Sequence, residues 1–105
     1  MSRMKEIAEK YGEEYVLRQL AEECTELAQA ALKLIRAKRK ETPMRESEAQ
    51  EHLIEEIADV TVMLQALYDT IVNDEMKDAI CELHGSKTLR MYDRMLDGKM
   101  EEDVW

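Results

Sequence analysis

Y-V-L-R-Q-L-A-E-E-C-T-E-L-A-Q-A-A-L-K-L-I, from Tyr15 to Ile35, is built almost entirely from Ala, Leu, Glu, Gln and Lys with a few other apolar residues. These residue types lose least on entering a helix. Advancing about 100° per residue places Val16, Leu17, Leu20, Cys24, Leu27, Ala28, Ala31, Leu34 and Ile35 on one broad stripe. The pattern predicts a long amphipathic helix over about residues 13–39, with that stripe against a core.

Working outward, Ser2 can cap a short first helix over residues 3–10, and Tyr11-Gly12 ends it with a residue free to take positive φ. Beyond the long helix, residues 41–46 form the linker, because Pro43 disfavours helix at Thr42. Ser47 with Gln50 three positions on has the form of a capping box, so a third helix is expected from there to about Asn73. From Val60 to Tyr68 (V-T-V-M-L-Q-A-L-Y) its apolar side chains occupy most of the circumference. A helix apolar nearly all round is buried on more than one side, and in so small a chain this predicts packing against another subunit, a homodimer or tetramer. A fourth helix is expected from Asn73 or Asp74 to Leu96, loosened at Gly85, followed by an acidic tail over residues 99–105 containing Glu101, Glu102 and Asp103. The fold class is all-α, a bundle of about four helices in a single domain over residues 1–98.

Composition agrees. The 105 residues include 3 Gly and 1 Pro, and carry a formal charge of -9. That balance argues against a groove for nucleic acid or an anionic membrane surface, both of which reward clustered Lys and Arg. A multivalent cation is the simplest partner. No apolar run reaches the roughly 20 residues of a membrane span and no signal-peptide core opens the chain, so a cytoplasmic location is expected. Cys24 and Cys81 fit neither a CxxC pattern nor a disulfide scaffold and read as reduced core residues, while the eight methionines read mostly as core filler.

Two segments carry candidate chemistry: Glu22-Glu23-Cys24-Thr25-Glu26 and Glu55-Glu56-Ile57-Ala58-Asp59. Residues three apart on a helix are neighbours, so Glu23 with Glu26, and Glu56 with Asp59, each make a two-carboxylate claw. Two claws on facing helices make one site. Four oxygen donors without His or Cys suit Mg²⁺, or Mn²⁺, better than zinc or copper, and four negative charges match two divalent ions. Equal spacing also occurs at Glu6/Glu9, Glu48/Glu51 and Glu75/Asp78. What separates the chosen pairs is apolar company: Leu20, Leu27 and Ala30 beside Glu23, and Met63, Ala66 and Leu67 on the face of Glu56 and Asp59. Carboxylates among such neighbours are costly unless paired or metal-bound.

Glu22-Glu23-x-x-Glu26 followed by Glu56-x-x-Asp59, with the flanking E-E-C-T-E-L-A-Q-A-A-L-K-L and L-I-E-E-I-A-D-V, resembles the EExxE…ExxD signature of the MazG-like all-α nucleotide pyrophosphohydrolases. The likeness covers about residues 15–95. It implies Mg²⁺-dependent hydrolysis of a nucleoside triphosphate to a monophosphate and pyrophosphate, with Glu23, Glu26, Glu56 and Asp59 as the metal ligands and catalytic centre. It also implies phosphate-binding bases on the last helix, where Lys87, Arg90 and Arg94 share a face at spacings of three and four. Glu22 matches the first position of the motif and reads as solvated. No Asn stands between Asp74 and Trp105, where family members often carry one, so base recognition is unassigned. The basic residues Lys33, Arg36, Lys38, Arg39 and Lys40 either complement the helix dipole, the simpler reading, or bind phosphate. His52 and His84 read as surface residues, and the aromatics as packing residues. A non-catalytic helical scaffold or regulatory module is the competing function; a redox di-iron bundle is disfavoured because no Glu-x-x-His occurs.

Overall fold

The computed structural model describes residues 2–98. They form four helices, α1 (Arg3–Tyr11), α2 (Glu13–Lys38), α3 (Glu46–Thr70) and α4 (Asp74–Leu96), with no strand among the described residues. The expected acidic tail lies outside the described residues. Two compact units divide the chain, one through Ile71 holding α1, α2 and α3, the other from Val72 holding α4.

Local chemistry accounts for most of the boundaries. Ser2 Oγ accepts from the Lys5 N–H at 3.0 Å and donates to Asp69 Oδ2 at 3.0 Å, which both caps α1 and ties it to the end of α3. Gly12, at φ 92°, turns the chain from α1 into α2 within one residue, a conformation that costs a side-chain-bearing residue dearly. α2 closes through Lys40 at φ 58°: its N–H donates to the Ala37 carbonyl and that of Glu41 to the Arg36 carbonyl, so the last carbonyls are satisfied although no glycine is present. α3 begins earlier than the Ser47 capping box predicts. Arg45 is the extended residue before it, no side chain caps it, and Glu46 and Glu48 in the first turn complement the dipole instead.

α2 and α3 pack antiparallel. Lys38 near the end of α2 pairs with Glu46 at the start of α3 at 2.9 Å, while Val16 near the start of α2 shares a core cluster with Met63 and Ala66. On α2 the covered positions are Val16, Leu20, Glu23, Leu27, Ala30, Leu34 and Ala37, with Gln19 beside them; on α3 they are Ala49, Leu53, Glu56, Val60, Met63 and Ala66. Steps of four and three residues make this a coiled-coil seam. Ala30, Ala37, Ala49 and Ala66 are buried in it.

The seam is narrower than the expected stripe. Leu17, Cys24, Ala28, Ala31 and Ile35 are exposed, because one facing helix covers a strip and α1 covers only one end. Cys24 is therefore a free thiol off the seam and Cys81 an exposed one on α4, so neither is a core residue. Of the methionines described, only Met63 is buried; Met76 and Met95 are exposed. Within Val60–Tyr68, Val60, Met63 and Ala66 are buried while Val62 and Leu64 stay exposed. α4 is capped by Asn73, whose Oδ1 accepts from the Met76 N–H at 2.8 Å, and runs through Gly85 without the expected loosening.

Candidate metal centre

Glu23 and Glu56 occupy seam positions, where every other covered α2 or α3 residue up to Ala66 except Gln19 is apolar. Their partners one turn on, Glu26 and Asp59, stand at the exposed margin. The antiparallel packing brings the two claws together: each of the four offers a carboxylate oxygen lying within 4.8 Å of the others. Among the described residues no other group of three or more Asp, Glu, His or Cys side chains converges this way. Among the described residues, the equally spaced Glu6/Glu9, Glu48/Glu51 and Glu75/Asp78 pairs have no facing claw.

The electrostatics are unfavourable for the bare protein. Glu23 Oε2 and Glu56 Oε2 are both buried and have no hydrogen-bond partner among the described residues. Desolvation raises the Glu23 pKa above its ordinary 4.5, and the charges of Glu26, Asp59 and Glu56 raise it further. Glu56 is raised in the same way, by desolvation first and then by Glu26 and Asp59. A buried acceptor left unpaired destabilises the fold, more so when it carries charge. A divalent cation placed among the four would satisfy both oxygens and offset the mutual repulsion. The donor set, all carboxylate oxygen, fits a hard ion of the Mg²⁺ or Mn²⁺ type.

Glu22 is exposed and outside the group. Lys87, Arg90 and Arg94 lie along one face of α4, Lys87 and Arg94 half-buried and Arg90 exposed. His84 is an exposed α4 residue. His52 is less ordinary than its sequence context indicates: with Gln29, Ala30 and Lys33 it lines a cleft bounded by Glu26 and Glu56. Its sequence signal is positional, one turn before Glu56 as Lys33 is two turns after Glu26, which matters only once the helices are known to be antiparallel. Compared with protein-family models, with curated proteins and with solved structures, the chain gives no match.

Proposed function

We propose that the chain is a metal-dependent nucleotide pyrophosphohydrolase of the MazG-like kind. The observation that carries this reading is the pair of buried, unpartnered carboxylate oxygens at the centre of a four-carboxylate group. In the reaction, the oxygen of a water molecule forms a bond to the α-phosphorus of a nucleoside triphosphate. The bond from that phosphorus to the bridging oxygen breaks, pyrophosphate leaves with the bonding electron pair, and the proton lost by the attacking water passes to the departing pyrophosphate or to solvent. When bound, Mg²⁺ supplies positive charge for the phosphate oxygens and for the charge that develops at phosphorus. Glu23, Glu26, Glu56 and Asp59 would hold it between α2 and α3; Lys87, Arg90 and Arg94 of α4 are assigned to phosphate by the resemblance alone.

Incubation with a panel of nucleoside triphosphates and Mg²⁺ or Mn²⁺ is expected to release pyrophosphate and the matching monophosphate from at least one of them. Absence of release across the panel would favour the alternative, a helical scaffold or regulatory module whose carboxylates bind a structural cation.

Assembly into a homo-oligomer belongs to the same proposal. Ile54, Ile57 and Leu64 are exposed on one face of α3, rotated about 100° from the seam. Sedimentation at micromolar concentration is expected to give at least twice the 12.3 kDa chain mass. A folded monomer would refute this part.

A further inference from the structure

The cleft beside the carboxylates has one cationic wall. Lys33 lines it together with Glu26, Gln29, Ala30, His52 and Glu56, and also lines the adjoining hollow formed with Arg36, Glu41, Thr42 and Met44. It thus stands where two hollows meet, at the end of a groove whose other end is the metal centre. Ala30, only 4% exposed, gives the groove a low floor. Lys33 lies seven residues beyond Glu26, about 10 Å along the helix, within the span of an extended Lys side chain and a ligand chained to the metal.

Of the cations nearby on α2, Lys38 is engaged, while Arg36, which lines the adjoining hollow but not the cleft of Glu26 and Glu56, has no ion pair within 4.0 Å among the described residues. Lys38, one turn on, is held by Glu46 at 2.9 Å, and Arg18, earlier on α2, by Glu14. Lys33 has no ion-pair partner within 4.0 Å among the described residues, although carboxylates bound the same cleft. A flexible ammonium with three donors, kept available beside a metal centre, matches an anionic oxygen that the metal alone does not satisfy.

We propose that Lys33 is a substrate-binding residue, its ammonium holding a phosphate oxygen of the nucleotide's diphosphate end in the cleft between α2 and α3, with Gln29 and His52 as neighbouring donors. This rests on the pyrophosphohydrolase reading of the carboxylate group. It assigns α2 a part in phosphate binding beyond the dipole role that its basic residues otherwise fill.

Steady-state kinetics on the full chain separate the possibilities, using the best substrate of the panel and pyrophosphate as product inhibitor. Lys33→Met is expected to raise KM and the pyrophosphate inhibition constant together, each by about tenfold or more, as for loss of a hydrogen bond to a charged group. The Mg²⁺ concentration giving half-maximal rate should stay within about twofold, and Lys33→Arg should recover most of the loss. Lys33 is an exposed side chain, so the fold should be retained; Lys33→Gln repeats the test should the Met variant aggregate. Unchanged KM and inhibition constant would overturn the proposal. So would a KM increase confined to one base with pyrophosphate inhibition unchanged, which would move the contact to the base. A shift in Mg²⁺ dependence without one in KM would reduce Lys33 to an electrostatic counterweight for the carboxylates. A wild-type chain that releases no pyrophosphate from any nucleotide refutes the underlying reading, and Lys33 with it; an active wild type with an unaffected Lys33→Met variant refutes Lys33 alone.

Discussion

Glu56→Gln or Asp59→Asn should lower the rate of pyrophosphate release by about a thousandfold or more while leaving the helical circular-dichroism spectrum intact. The amide keeps the size of the carboxyl but loses the charge that binds a divalent ion. Charge compensation by such an ion is worth several kcal/mol of the barrier, and each 1.36 kcal/mol is tenfold in rate. Folding should survive, because Glu56→Gln removes a desolvated charge from the seam, Asp59→Asn alters an exposed position at its margin, and both leave the apolar residues in place. Glu48→Gln and Glu51→Gln are the controls. Both residues are exposed on the same helix with the same spacing, and among the described residues Glu48 has only an exposed pair with Arg45 at 3.4 Å. Such pairs contribute little, so activity and stability should barely change. Equal damage from the control pair, or full activity in the Glu56 and Asp59 amides, would defeat the assignment of the site.

The second large effect is on thermal stability. The folded chain presents four converging carboxylates and the unfolded chain does not, so a cation that binds them stabilises only the folded state. At about a hundred times its dissociation constant, a single ion adds ~2.7 kcal/mol. For a domain of this size that raises the melting temperature by about 10 °C or more. An unchanged melting curve across millimolar Mg²⁺ and Mn²⁺ would contradict the site. In chelator, the pH dependence has a definite sign. Glu23 and Glu56 have folded pKa values above the ordinary 4.5, so they bind protons more tightly folded than unfolded. Their contribution to stability is complete below about that ordinary value and is lost as pH rises through the folded values. The metal-free chain should therefore gain melting temperature on mild acidification from neutrality, and Glu23→Gln and Glu56→Gln should flatten that slope. With metal present the trend reverses, because protons compete for the same oxygens. A slope untouched by both variants would show that other groups set it.

How far the sequence is readable depends on whether a signal is local. Ser2, Gly12 and Asn73 act on their own backbone neighbours, and α1, the start of α2 and the start of α4 fall where those residues place them. Arg45 offers no such signal: its side chain cannot cap, so the start of α3 is set by an extended backbone and two following acids, and the Ser47 pattern misleads. Apolar periodicity shows that α2 is amphipathic but not which part of a wide stripe one partner covers, which is why Leu17, Cys24 and Ile35 lie outside the seam. The Glu23, Glu26, Glu56 and Asp59 spacing is visible in the sequence because each pair is local to one helix. Lys33 is readable as one of several basic residues that either complement the helix dipole or bind phosphate, and His52 only as a surface residue; their meeting in one cleft with Glu26 and Glu56 depends on the opposed run of two helices.

Two acids in an otherwise apolar coiled-coil seam also decide alignment. A repeat of seven leaves a helix pair free to slide by one heptad with most apolar contacts restored. Here a slip of seven residues would set Glu23 against Met63 or Ala49 and Glu56 against Ala30 or Val16, burying each carboxylate beside hydrocarbon with no counter-charge. An isolated buried charge is far costlier than a shared one. Only one alignment lets both acids face each other and share a cation, so the same residues that hold the ion exclude the shifted pairings of α2 on α3.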